Sequence, residues 1–155
     1  MISSEIEVGS IERVLLEQGS FASVTNGVSM RPLFKTHRDA VILSRPTEPP
    51  KRFDVVLYRV RDKYVLHRII KVDEENSRYI IRGDNTFTLE YVPMDKILAV
   101  LTSFNRKGKH HSVTDRGYRI YARVWNFIYP LRWLIRLPRV CLSRVKHALF
   151  AGSKH

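Results

Sequence analysis

Cysteine is almost absent. The chain of 155 residues holds one, Cys141, so no internal disulfide can form and a cysteine-rich zinc site has no ligands. Long apolar runs are missing too: no uninterrupted stretch approaches the roughly 20 residues that cross a bilayer as a helix. The opening "MISSEIEVGSIERVLLEQG" puts acids where a secretory signal carries lysines and has no apolar core segment of the required length. The expectation is therefore no cleaved signal and no spanning helix ahead of Ser29. Acids disappear after Asp115, while Arg119, Arg123, Arg132, Arg136, Arg139, Arg144, Lys146 and Lys154 follow from residue 118 onward. Of the net charge of +12, those eight bases leave +4 for the first 117 residues. The chain is thus not uniformly basic, and its excess charge belongs mainly to a tail. No internal repeat or low-complexity tract is visible.

What is present suits one compact domain with a modest core, 44% of the residues being hydrophobic. Ser10 precedes Ile11, Val14 and Leu15 at helical spacing and Gly19 ends the pattern, which predicts a short helix within residues 1–20. From Phe21 to Phe104 the texture changes to "DAVILS", "DVVLYRV", "KYVLHRIIKV", "SRYIIRG" and "ILAVLTSF", separated by turn formers such as "RPTEPPKR" and "DEENS". Five short strands at this spacing predict a mainly β, coiled antiparallel domain over 21–104. The Pro-rich segment is an inter-strand loop, since β-runs continue on both sides. "NRKGKHH" opens a charged loop over 105–117, and His110-His111 beside Asp115 reads as solvated loop rather than a metal site. Residues 118–155 are predicted as a basic amphipathic helix, or two, broken near Pro130 and Pro138. Such a tail either lies on an anionic membrane surface, with Trp125 and Trp133 at headgroup depth, or packs on the β-domain and shows water its arginines.

The chemistry gathers on three stretches. "NGVSMRPLF" holds Ser29, a poor nucleophile unless a base takes its proton and N–H groups hold the developing oxyanion. In "KYVLHRIIKV", alternation puts Val65, His67 and Ile69 on one strand face, so His67 sits among apolar neighbours that keep an imidazole neutral, the form a general base needs. The same placement describes an ordinary core histidine. "IIRGDNTF" holds Gly83, Asp84 and Asn85, a turn signal whose side chains either bond their own backbone or reach the Ser29–His67 pair.

In order and combination, "GVSMRP", "FDVVLYRV", "VLHRII", "RGDN" and "VPMDKILAVL" resemble the type I signal peptidases and, more distantly, the LexA-type self-cleaving peptidases that share their β-fold. The resemblance spans roughly Gly27 to Leu101. It implies that Ser29 in Ser29-Met30-x-Pro32 is the nucleophile. His67-Arg68-Ile69 stands where most bacterial members carry a lysine base, as in the endoplasmic-reticulum and archaeal branch, so His67 would form a Ser-His dyad. Gly83-Asp84-Asn85 carries the supporting Gly-Asp-Asn motif. That branch has a second aspartate some six or seven residues after the glycine; Glu90 stands near that place, which leaves Asp84 and Glu90 as alternatives for orienting His67. Phe53-Asp54-Val55-Val56 lacks the glycine of the family's Gly-Asp-Val motif. With 28 residues and no spanning segment ahead of Ser29, the expectation is that neither the membrane anchor of one kind nor the DNA-binding domain of the other is present.

The function expected is a serine endopeptidase that cleaves signal or leader peptides with small residues near the cut, with no metal or organic cofactor. It would be peripheral on an anionic membrane through residues 118–150, or cytoplasmic. A cytoplasmic leader-peptide maturation protease keeps the dyad and changes the client. A non-catalytic membrane- or nucleic-acid-binding module uses only the tail, although no recognised nucleic-acid motif accompanies its arginines and no specific nucleic acid is expected.

Overall fold

The computed structural model describes residues 10–135, and the fold is mainly β. Helix α1 (Ser10–Gln18) buries Ile11 and Leu15 and stops at Gly19, which takes a φ of 71° and donates its N–H to the Leu15 carbonyl. Eight antiparallel strands follow: β1 (Ser20–Val24), β2 (Ala40–Ser44), β3 (Val55–Val60), β4 (Lys63–Asp73), β5 (Arg78–Arg82), β6 (Glu90–Pro93), β7 (Ile97–Arg106) and β8 (Lys109–Ser112). They form one sheet in the order β1-β2-β7-β3-β4-β5-β6, with β8 paired to β7. β3 and β8 pair with successive parts of β7, at Ile97–Val100 and Ser103–Arg106. Helix α2 (Arg116–Phe127) packs back on the sheet, and a further helix over 129–135 follows a turn at Ile128.

The sheet serves two cores, which is why β3 reads as an unbroken apolar run instead of an alternating one. Val55 and Leu57 point into the larger core with Leu66, Leu101 and Phe104, where α1 and the loop after β1 also pack. Val56 and Tyr58 point the other way, into a second core with Ile69, Tyr79, Ile81 and Val92. Bulges between Leu57 and Tyr58 and between Ile69 and Lys71 bend the strands. The bend is large enough for Glu90 on β6 to hydrogen-bond Tyr58 on β3, three strands away across β4 and β5.

Three sequence expectations change. The described residues form eight strands, not five; β1, β6 and β8 are short and only partly apolar. Residues 105–117 are not one charged loop: Arg106 pairs with Lys109 across a two-residue turn in which Lys107 and Gly108 both have positive φ (52° and 77°), the geometry of a tight hairpin. The helical tail starts at Arg116, before the expected 118. The break near Pro130 is present, Pro130 standing in the first turn of the second helix where its missing N–H costs nothing. Pro138 and the rest of the tail, 136–155, lie outside the described residues, as do 1–9.

Candidate active site

Ser29 sits in the loop from Thr25 to Asp39, between β1 and β2. Met30, Leu33 and Phe34 are buried in the larger core and act as its keel, which gives the "SMRPLF" pattern a packing reason. Buried Thr25 and Asp39 close the loop's neck: the Thr25 N–H and hydroxyl both donate to the Asp39 carbonyl, and an Asp39 carboxylate oxygen accepts the Lys35 N–H. Ser29 itself is half-buried, and neither its hydroxyl nor its N–H has a hydrogen-bond partner among the described residues. Beside it lies a cavity of about 20 Å³ lined by Thr25, Gly27, Ser29, Met30, Phe34 and Leu66.

His67 is 6% exposed on β4, paired with Val56 and facing the second core. Its two ring nitrogens meet different surroundings. Nδ1 lies 3.2 Å from the Tyr58 hydroxyl and 3.4 Å from Oε1 of Glu90. Tyr58 donates its single proton to Oε2 of Glu90, so towards the ring it can only accept. That assigns the proton to Nδ1 and leaves Nε2 as a bare lone pair. Burial pushes the His67 pKa down to about 4, against the pull of the Asp84 charge. Burial also raises the Glu90 carboxyl. An open cavity of about 690 Å³ lies on this Nδ1 side, walled by Tyr58, Val65, Glu90 and Val92.

Nε2 points the other way, to Gly83. A Cβ added to Gly83 would stand 2.7 Å from the Ser29 carbonyl oxygen and 3.0 Å from Nε2 of His67. The Ser29 backbone and the lone pair of His67 thus converge over a residue that has room for no side chain. The Ser29 hydroxyl is not hydrogen-bonded to Nε2, as is common before a substrate tightens such a pair. Asn85 ties the loop to this turn: its N–H donates to the Ser29 carbonyl at 2.7 Å and its side-chain amide to the Val28 carbonyl at 3.2 Å.

Asp84 has a different partner. Its carboxylate takes both Nε and Nη2 of Arg68 at 2.8 Å, and the Tyr121 hydroxyl at 3.0 Å. Arg68 is 0% exposed, and its remaining nitrogen donates to the Phe53 carbonyl and the Tyr118 hydroxyl. The Asp84 carbonyl accepts the indole N–H of Trp125 at 2.8 Å and a guanidinium N–H of Arg132 at 2.9 Å, and Arg132 also lies 3.8 Å over the Trp125 ring. Tyr129 donates to the Phe87 carbonyl and lies under Arg82, whose guanidinium carbon is 3.3 Å from its ring centre. The tail helices therefore grip the 83–87 turn from outside, which is the packing on the β-domain that one reading of the tail expected.

The structure brings Ser29, His67, Gly83, Asn85 and Glu90 into one neighbourhood. Met30 serves as an anchor in the core, and Pro32, after a cis bond, offers its carbonyl to Arg106. Between the two acids left open by the sequence, Glu90 contacts His67 and Asp84 holds Arg68. Tyr58, Arg68, Tyr121 and Arg132 have no site role in the sequence reading, and Trp125, expected at headgroup depth, instead turns its indole N–H to the Asp84 carbonyl. Arg68 alone had a signal, a guanidinium inside an apolar strand that needs a carboxylate. His110 and His111 lie on β8, with the His111 ring stacked on Phe104. Among the described residues no group of three or more His, Cys, Asp or Glu is placed to hold a metal ion. Comparison with models of known protein families and with curated protein sequences returns no match.

Proposed function

We propose that the chain is a serine endopeptidase of the signal-peptidase-like kind, cutting signal or leader peptides through Ser29 and His67. The observation that carries this is the convergence of the Ser29 backbone and His67 Nε2 over Gly83, with Nδ1 backed by Tyr58 and Glu90. Neutral His67 accepts the Ser29 proton at Nε2 as the hydroxyl oxygen bonds to the peptide carbonyl carbon. The unpartnered Ser29 N–H is an oxyanion donor worth on the order of 3 kcal/mol in good geometry. Collapse breaks the C–N bond, and His67 returns the proton to the leaving amine. Water then repeats the sequence on the acyl-enzyme. Glu90 and Tyr58 hold the tautomer and stabilise the imidazolium formed in between.

The substrate lies extended as an added strand. The cavity of about 20 Å³ at Ser29 admits a group of about methyl size, which supports small side chains next to the cut. The client is a preprotein at a membrane surface, or a leader peptide in the cytoplasm. High salt or alkaline carbonate releases a surface-bound enzyme from membranes, and a cytoplasmic one never pellets.

The deciding experiment is labelling by a serine acylating agent in wild type, Ser29→Ala and His67→Ala, alongside cleavage of a leader-like peptide. Labelling and cleavage are expected only in wild type. Labelling that ignores both substitutions, or cleavage that survives Ser29→Ala, ends the reading in favour of a non-catalytic module or a contaminant.

A further inference from the structure

Helix α2 and the helix over 129–135 present two unlike faces. Tyr118, Tyr121, Ala122, Trp125 and Tyr129 turn towards the sheet and the 83–87 turn. Ile120, Val124, Phe127, Leu131 and Leu134 recur at steps of four and three on the opposite side. Each is more than half exposed, and Phe127 is 85% exposed. A contiguous apolar stripe of this kind is unusual on a monomer that binds nothing there. Along one edge of it stand exposed Arg116, Arg119 and Arg123, with no carboxylate within 4.0 Å of any of them among the described residues. A groove of about 430 Å³ between Arg52, Phe53, Arg123, Val124 and Phe127 extends the same surface.

We infer that this face docks on an anionic lipid bilayer, with Phe127 and Leu131 entering the headgroup–acyl boundary and Arg119 and Arg123 on lipid phosphates. The charge pattern favours lipid over a second copy. The chain has no acid from residue 116 to 155, so two copies of this face would set arginine against arginine. It favours lipid over nucleic acid as well, because phosphates alone would leave the five apolar side chains in water. The opposite face of the same helix holds Asp84. On the peptidase reading, docking therefore sets the catalytic turn about one helix diameter, roughly 10 Å, from the headgroups.

The test is co-sedimentation of the full chain with vesicles of phosphatidylcholine containing phosphatidylglycerol and with pure phosphatidylcholine vesicles. Phe127→Ser/Leu131→Ser and Arg119→Gln/Arg123→Gln are compared with wild type, folding being checked by circular dichroism and melting. Binding is expected on the anionic vesicles only, to weaken with salt, and to fall about tenfold or more in each double variant. Arg119→Gln/Arg123→Gln changes exposed groups alone and keeps the test valid if the apolar variant misfolds. Equal binding by wild type and the variants overturns the inference. So does a wild-type dimer that Phe127→Ser/Leu131→Ser makes monomeric, or tighter binding to single-stranded RNA through the same residues. Vesicle binding needs no peptidase activity, so it and the labelling experiment fail separately.

Discussion

Asparagine at position 84 and glutamine at position 90 make one experiment, because the two acids of the site do different work. Asp84→Asn keeps the turn's shape and one carbonyl acceptor but removes the carboxylate that pairs with Arg68, which is 0% exposed. Two unit charges 4 Å apart at an effective dielectric of about 20 attract by about 4 kcal/mol. Removing one partner of a buried pair costs about 3–5 kcal/mol, because the other charge stays buried. The expected result is a loss of that size in urea unfolding at neutral pH. Glu90→Gln is milder for the fold, since the Glu90 side chain is 33% exposed and partnered by uncharged groups, and costs about 1 kcal/mol. It removes the acid behind His67 Nδ1, so kcat falls roughly a hundredfold or more. The opposite pattern, with Asp84→Asn stable to within about 1 kcal/mol but inactive and Glu90→Gln fully active, would refute this division of labour.

Two further outcomes are expected. Because burial holds His67 near 4, below the unfolded value of 6.5, the acid limb of kcat/KM falls near pH 4. The same depression makes stability complete above about pH 6.5 and lost as the pH falls towards 4, by roughly 3 kcal/mol, and urea titrations of His67→Gln should lack that dependence. Gly83→Ala puts a methyl 2.7 Å from a backbone oxygen of Ser29, which cannot swing aside; activity should fall about a hundredfold and stability by about 1–3 kcal/mol, read by peptide cleavage and thermal melting.

Much of the β-framework was legible because β2, β3, β4, β5 and β7 each carry an apolar run bounded by turn residues. β8 was not, since "KHHS" has no apolar alternation and its hairpin rests on Lys107 adopting positive φ, which lysine does not advertise. His67 was legible through its neighbours on an alternating strand. Its contact with Tyr58 and Glu90 was not, because it depends on how far bulged strands curl, and bulge positions leave no pattern in the residues. Asp84 illustrates the same limit. A Gly-Asp-Asn turn announces a carboxylate near the site, but its partner Arg68 and the tail side chains become neighbours only through tertiary packing.

The grip of the tail on Asp84 also sets a time at which the site can be completed. Ser29, His67 and Gly83 leave the ribosome well before Trp125 and Arg132, whose N–H groups hold the Asp84 carbonyl. At about 5–20 residues per second, the 48 residues from Asp84 to Arg132 take several seconds to synthesise. On the peptidase reading proposed above, a growing chain for that interval has Ser29 and His67 but not the two helices that hold the Asp84 carbonyl, and it should be least able to cut until they arrive.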